Sequence, residues 1–284
     1  MAAVLSTNVA SLWASKNLQL AQTNMATTVE RLSSGLRINR ARDDAAGLGV
    51  ANALTQQINS ANMGIRNLND GVSIVQTAEA AISTASEMGQ RILALSVQAQ
   101  GQTLTDSQKS SIQSEMSSLI TAINNITSRT KFAGTSILDG TAINIYSGST
   151  STESITVSSS ALATISTGTG GLAVTLSEHI TTGATAISAT VTLFQSIATA
   201  ATAYITALDK QRGLLGASQN QIEYSISNLI DLSSNLTAAR SRIIDTDYAT
   251  ETASLTKGQI LQQAATAMLA QANQMPNVIL SLLK

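Results

Sequence analysis

Side chains able to do chemistry are few in this chain, and most of them gather in two places. The stretch "RLSSGLRINRARDDAAG" packs Arg31, Arg37, Arg40, Arg42, Asp43 and Asp44 into one short run, and "AARSRIIDTDYATE" collects Arg240, Arg242, Asp245, Asp247 and Glu251 near the other end. Guanidinium and carboxylate groups at this density can cap helices, pair as ions and bind backbone carbonyls. With 0 Cys and 1 His, disulfides, thiolate metal sites and cysteine nucleophiles are excluded, and imidazole chemistry has little to work with. The lone histidine, His179, sits in "SEHITTG", which lacks the H-E-x-x-H spacing of a zinc protease and reads as a solvated loop residue. No catalytic, cofactor-binding or metal-binding residue is therefore expected, and the chain reads as a non-enzyme. Asn125-Ile-Thr and Asn235-Leu-Thr match the N-glycosylation pattern but fall in helical segments, where the match is coincidental.

The elements that must position these charges are long helices. Aromatics are 2% of the 284 residues and there is 1 Pro, a composition that suits helices packed through small and aliphatic side chains rather than an aromatic-rich globular core. Leu54, Ile58, Ala61, Ile65, Leu68, Val72 and Val75 alternate steps of four and three. This heptad seam fades past Glu79 and resumes at Ile82, Ala85, Ile92, Leu95 and Ala99, which predicts one helix over about 45–100. Thr105 or Asp106 should cap a second helix marked by Ile112, Met116, Leu119, Ile123 and Ile126. Gly134 and Gly140 end that pattern, and Ile143, Ile145, Ile155 and Val157 alternate as a small β-hairpin near 141–157. Residues 158–185 are Ser/Thr/Gly-rich, a minimal loop or surface excursion. Helical periodicity returns near Ile187, and Ile222, Ile226, Leu229, Ser233, Leu236, Arg240 and Ile243 keep the four-three rhythm.

The two halves mirror each other, as in a chain that runs out, turns and returns antiparallel with its ends side by side. Ser33, Ser34 and Gly35 should stop the first helix, with Gly35 in a left-handed cap, and Asp43 or Asp44 should cap the next. Beyond the charged clusters, Met1–Val29 carries only Lys16 and Gly258–Leu283 carries no charge. Helices without a charged face need burial all round, which copies of the same chain can supply. A net charge of -1 without a basic run argues against nucleic acid. The glutamines and asparagines between 258 and 283 argue against membrane insertion. The opening residues lack a cleavable secretory signal, which leaves a cytosolic protein or export by another route.

These residues resemble bacterial flagellin, the subunit of the flagellar filament. "ERLSSGLRINRARDDAAGLGVAN", "NLNDGVSIVQTAE" and "TKFAGTSILDG" carry the resemblance over Met1 to about Gly140, and "LGASQNQIEYSISNL", "LTAARSRIIDTDYATE" and "ILQQAATAMLAQANQMPNVILSLLK" carry it from about Ile187 to Lys284. The resemblance implies a mainly α fold: a long antiparallel helical bundle or coiled-coil rod with paired terminal helices, a small β-hairpin and a minimal or absent outer domain. The inner helical domain would take 1–35 and 250–284, polar linkers 36–46 and 240–249, and the rod 47–157 and 186–239, with 158–185 as a vestigial variable region. Leu5, Val9, Leu12, Leu261, Leu269, Leu280 and Leu283 would pack an inner tube. Arg31, Arg37, Arg40, Asp43, Asp44, Arg240, Arg242, Asp245 and Asp247 would form the linker network.

The resemblance further implies an extracellular filament that serves as a swimming propeller, exported by a type III apparatus without a cleaved signal peptide. Its partners would be further copies of the chain, an export chaperone, the hook-associated junction proteins, the filament cap and the innate Toll-like flagellin receptor. Arg91, Leu95 and Glu115 match that receptor's usual contacts, whereas Leu93 and Ala94 stand where the family usually carries Arg and Glu. Leu95 also fits a heptad core position. The Ser/Thr-rich segment is a candidate for O-linked glycosylation or simply a soluble loop. A hook-filament junction protein and a signalling coiled coil are the alternatives, and full motifs at both ends favour flagellin.

Overall fold

The computed structural model describes residues 8–148, 152–157 and 187–282. Five α-helices and four short strands follow in chain order among them: α1 (Val9–Ser34), α2 (Ala45–Ala99), α3 (Asp106–Arg129), β1 (Lys131–Phe132), β2 (Thr135–Ser136), β3 (Ile143–Tyr146), β4 (Ser154–Val157), α4 (Ile187–Ile244) and α5 (Tyr248–Leu282). The structure is mainly α with a small antiparallel hairpin, the class that the sequence predicts. It divides into two compact units, one of residues 1–58 and 234–284, the other of residues 59–233.

The second unit is built on the seam of α2. Leu68, Val75, Ile82, Ala85, Ile92, Leu95 and Ala99 are buried there, and where the apolar pattern has gaps, Ala78 and Gly89 hold the inward positions. The seam is continuous in space because small residues, which a hydrophobicity count overlooks, occupy it. Helix α3 adds Ile112, Met116, Ile120 and Ile123, and α4 adds Phe194, Ile197, Ala201, Tyr204, Leu208, Leu215 and Ile222, to one common core. Each fully buried Leu, Ile or Phe contributes about 1.5–3 kcal/mol through area removed from water. By length and composition, Val191–Ile244 within α4 is apolar enough to cross a membrane, and the residues just named account for much of that apolarity by facing the core.

Thr105 starts α3 with a reciprocal cap: the Gln108 backbone N–H donates to its hydroxyl at 3.3 Å and its own N–H donates to the Gln108 side chain at 2.9 Å. After α3 the chain makes a hairpin that the sequence reading does not contain, β1 against β2, turned by Ala133 and Gly134 at φ 48° and 86°. Its two-residue strands are too short to show alternation. The expected hairpin follows, β3 antiparallel to β4, pairing Ile143 with Val157 and Ile145 with Ile155. It lies over two glycines of α2 one heptad apart. A Cβ at Gly64 would strike the carbonyl oxygen of Ser147, and one at Gly71 would meet the Ile145 side chain. Asn67 donates to the Tyr146 carbonyl at 3.1 Å and completes the seat.

Tyr204 is buried against Gly89 with no hydrogen-bond partner for its hydroxyl among the described residues, and burial pushes its phenol well above the ordinary tyrosine range. An unpaired buried hydroxyl costs about 1–3 kcal/mol. Tyr204→Phe should therefore raise the unfolding free energy in urea by about 1 kcal/mol; an unchanged or lower value would mean that the hydroxyl is satisfied in solution.

Candidate assembly interface

The first unit pairs α1 with α5 as an antiparallel helical hairpin. Asn8 donates to the Ala272 carbonyl at 2.8 Å and Ser11 to Asn273 at 3.0 Å, while Arg31 at the far end of α1 lies 3.8 Å from Glu251 at the start of α5. Ser11, Ala14, Leu18, Ala21, Met25 and Thr28, in steps of three and four, form a shielded stripe along α1. Glu251, Leu255, Gly258, Gln262, Ala265, Leu269 and Ala272 repeat that rhythm on α5. The seam is made largely of small and polar side chains, so the helices approach closely: a Cβ at Gly258 would lie 3.6 Å from Met25.

Because small and polar residues take most of the inward positions, many of the large apolar ones face out. Leu12 is 68% exposed, Trp13 61% and Met268 64%, and Val9, Leu20, Ile260 and Leu261 are exposed with them. Val9, Trp13, Leu20, Leu261 and Met268 border a groove of about 820 Å³ between α1 and α5. Lys16, the one charge in the first 29 residues, has its ammonium 5.6 Å from the Trp13 ring centre. An apolar surface of this kind on a water-exposed subunit marks an interaction face. Of the residues expected to pack a tube, Val9, Leu12 and Leu261 point outward, and Leu269 lies in the α1–α5 seam. Leu280 belongs to α5 by its backbone, and Leu5 and Leu283 lie outside the described residues, as does 158–185 with His179.

Between the helices the charged residues build a joint. Gly35 ends α1 at φ 71°, its N–H donating to the Arg31 carbonyl at 2.8 Å, and the Tyr248 hydroxyl sits 3.0 Å from where a Cβ would be. Leu36 and Asp245 form a β-bridge, flanked by Thr246 N–H to Gly35 O at 2.9 Å and Arg37 N–H to Ile244 O at 2.6 Å. The Arg37 guanidinium adds a bond to the Ile243 carbonyl at 2.6 Å, covering the carbonyl end of α4.

Asp44 caps α2, accepting from the Gly47 N–H at 2.8 Å. Asp43 instead closes the turn before it, accepting from the N–H groups of Arg40 and Asn39, and the Arg40 bond above all holds its carboxyl below the usual range. Asp247 caps α5, and the Thr250 hydroxyl, ahead of the Ala249 N–H, lowers its pKa in the same way.

Arg40 pairs with Glu30 at 2.8 Å and Arg31 with Glu251 at 3.8 Å; such partly exposed pairs contribute about 0–1 kcal/mol each. Glu30 and Glu251 complete a network that the sequence reading assigned to arginines and aspartates. Three of its expected members act differently. Asp245 enters through its backbone, and Arg240 and Arg242 make no ion pair among the described residues.

In the second unit Arg91 binds Glu115 through Nε at 3.0 Å and Nη2 at 2.8 Å, both side chains partly exposed. Leu95 is 2% exposed and belongs to the core, so in this fold it offers no contact surface to a receptor. Two features escaped the sequence reading for one reason: the α1–α5 seam and the groove beside it depend on which face the small residues take. The alternation of shielded positions 11, 14, 18, 21, 25 and 28 is the signal that could have found them.

Residues 5–142 match the family model of the bacterial flagellin N-terminal helical region, and residues 198–283 that of the bacterial flagellin C-terminal helical region. The chain is 38% identical to the flagellin of Bacillus subtilis over 95% of each chain. It is 35% identical to the flagellin of Halalkalibacterium halodurans over 99% of this chain and all of the other, and 34% identical to flagellin B of Vibrio anguillarum over the whole of both. A crystal structure of Bacillus cereus flagellin aligns over 62% of this chain and 94% of its own, with 23% identity and a TM-score of 0.48.

Proposed function

The chain belongs to the bacterial flagellin family, and on that footing we propose that its α1–α5 hairpins pack against those of neighbouring copies to form the inner tube of a flagellar filament. Family membership makes it a structural subunit of an extracellular helical polymer, not an enzyme. The observation that carries the finer reading is the outward set Val9, Leu12, Trp13, Leu20, Leu261 and Met268, a large apolar surface left uncovered within one copy. Covering it with copies related by a screw operation gives an open filament, the product of contacts that do not close.

In this reading 1–35 and 250–284 form the inner domain, the joint at 36–46 and 240–249 couples it to the rod, and Arg240 and Arg242 pair with carboxylates of adjacent copies. Such ion pairs set register while adding little stability. Rotation of the filament drives swimming. The unfolded subunit leaves by type III export, handed over by an export chaperone, and the filament joins hook-associated junction proteins below and a cap above. Recognition by the Toll-like receptor would rest on Arg91 and Glu115, without Leu95.

Removing Gln271–Lys284 tests the tube. The truncated chain loses the Ala272 and Asn273 partners of Asn8 and Ser11 while keeping the second unit's core intact. Circular dichroism should still report a helical monomer, and seeded polymerisation should be abolished. Normal filaments from the truncated chain would refute the proposal.

A further inference from the structure

With no cysteine in the chain, sulfur chemistry falls to its methionines. They occupy contrasting places. Met116 is fully buried in the second unit, Met25 is half-shielded over Gly258, and Met63 is 49% exposed with its sulfur 2.7 Å from the Arg66 guanidinium. Met268 is the most exposed of those described and borders the apolar groove with Trp13, Leu261 and Ala264.

We propose that Met268 is a peroxide-sensitive modification site whose oxidation excludes the subunit from the filament. The reaction is a two-electron oxygen transfer. The thioether sulfur attacks one oxygen of hydrogen peroxide, an S–O bond forms as the O–O bond breaks, and the remaining oxygen leaves as water once protons have been redistributed. The product replaces an apolar, polarisable sulfur with a strongly polar S=O group. Free in water, that oxygen is solvated and the subunit is undisturbed. In the groove, assembly would strip most of its water, and a lining dominated by apolar side chains leaves only the amides of Asn17, Asn24 and Gln271 to replace part of it. The unassembled subunit is thus the vulnerable form, and its neighbours shield Met268 once it is incorporated. Met63, on a different helix face in the other unit and beside a guanidinium, lacks this consequence. This inference rests on the proposed role of the groove in assembly.

Partial oxidation of the full-length monomer with hydrogen peroxide, seeded polymerisation, and peptide mapping of the pelleted filaments and the supernatant test it together. The expected result is Met268 sulfoxide at least tenfold depleted in filaments relative to the supernatant, with Met63 sulfoxide divided evenly. Met268 sulfoxide entering filaments as freely as Met63 sulfoxide would overturn the proposal. A second arm uses Met268→Leu, which should polymerise after full oxidation with a critical concentration within about twofold of its untreated value. An equal loss in both proteins would place the effect elsewhere and also overturn it. Failure of the untreated chain to polymerise at all would instead sink the assembly reading itself.

Discussion

Leu12→Asp should leave the subunit folded and abolish filament growth. The side chain is 68% exposed on the outward face of α1, so its loss removes little packing within one copy. Position 12 lies within the first turns of α1, after the cap at Asn8, where a carboxylate is favourably placed against the helix dipole. Monomer stability should therefore change by less than about 0.5 kcal/mol. In a filament the same carboxylate would be carried between apolar surfaces. A penalty of about 3 kcal/mol per copy, modest for an unpaired buried charge, raises the critical concentration roughly a hundredfold. Sedimentation after seeding reads that shift directly. A wild-type critical concentration in a variant with unaltered urea unfolding would mean that Leu12 faces water in the polymer too.

The second large effect concerns the seat of the hairpin. Gly64→Ala should destabilise the subunit even though alanine is the better helix former. In an exposed helix interior the exchange gains about 0.5–1 kcal/mol. At position 64, however, the new methyl would collide with the Ser147 carbonyl, which is backbone and cannot swing aside, and would lie 3.2 Å from Leu229. Forcing the hairpin off α2 should cost more than the helix gains, for a net loss of about 2 kcal/mol in urea unfolding. Gly213→Ala supplies the opposite sign. Among the described residues, no atom beyond its own turn of helix lies within 4 Å of its would-be Cβ, so the full helix gain of about 0.5–1 kcal/mol should appear. Equal gains at both positions would show that the hairpin is not seated as described.

These two glycines also mark the limits of reading the sequence. The long helices were legible because Leu54 to Ala99 and Ile222 to Ile243 repeat every three and four residues, and that rhythm depends on local geometry alone. The cap at Gly35 was legible for the same reason, and those of α2 and α3 were narrowed to Asp43 or Asp44 and to Thr105 or Asp106, since each acts within a few residues of itself. Gly64, Gly71 and Ala78 were not, because a small residue signals its role only through what packs on it, and Ser147 and Ile145 are far away in sequence. The joint was half legible. Clustered charge located it, but the pairing of Arg31 with Glu251 and of Arg37 with the carbonyls of Ile243 and Ile244 joins segments about two hundred residues apart. The orientation of Leu269 likewise follows from the partner helix rather than from its own surroundings in the chain, whereas the heptad rhythm already places Leu95 in the core.

The outward face of the α1–α5 hairpin, proposed to become buried between copies, carries its own reporter. Trp13 is the single tryptophan and is 61% exposed. Its emission spectrum and acrylamide quenching, recorded on monomer and on seeded filaments confirmed by electron microscopy, report that face alone. Burial of that face predicts a blue-shifted emission and a several-fold loss of quenching in the filament. Filaments in which Trp13 remains as quenchable as in the monomer would contradict it.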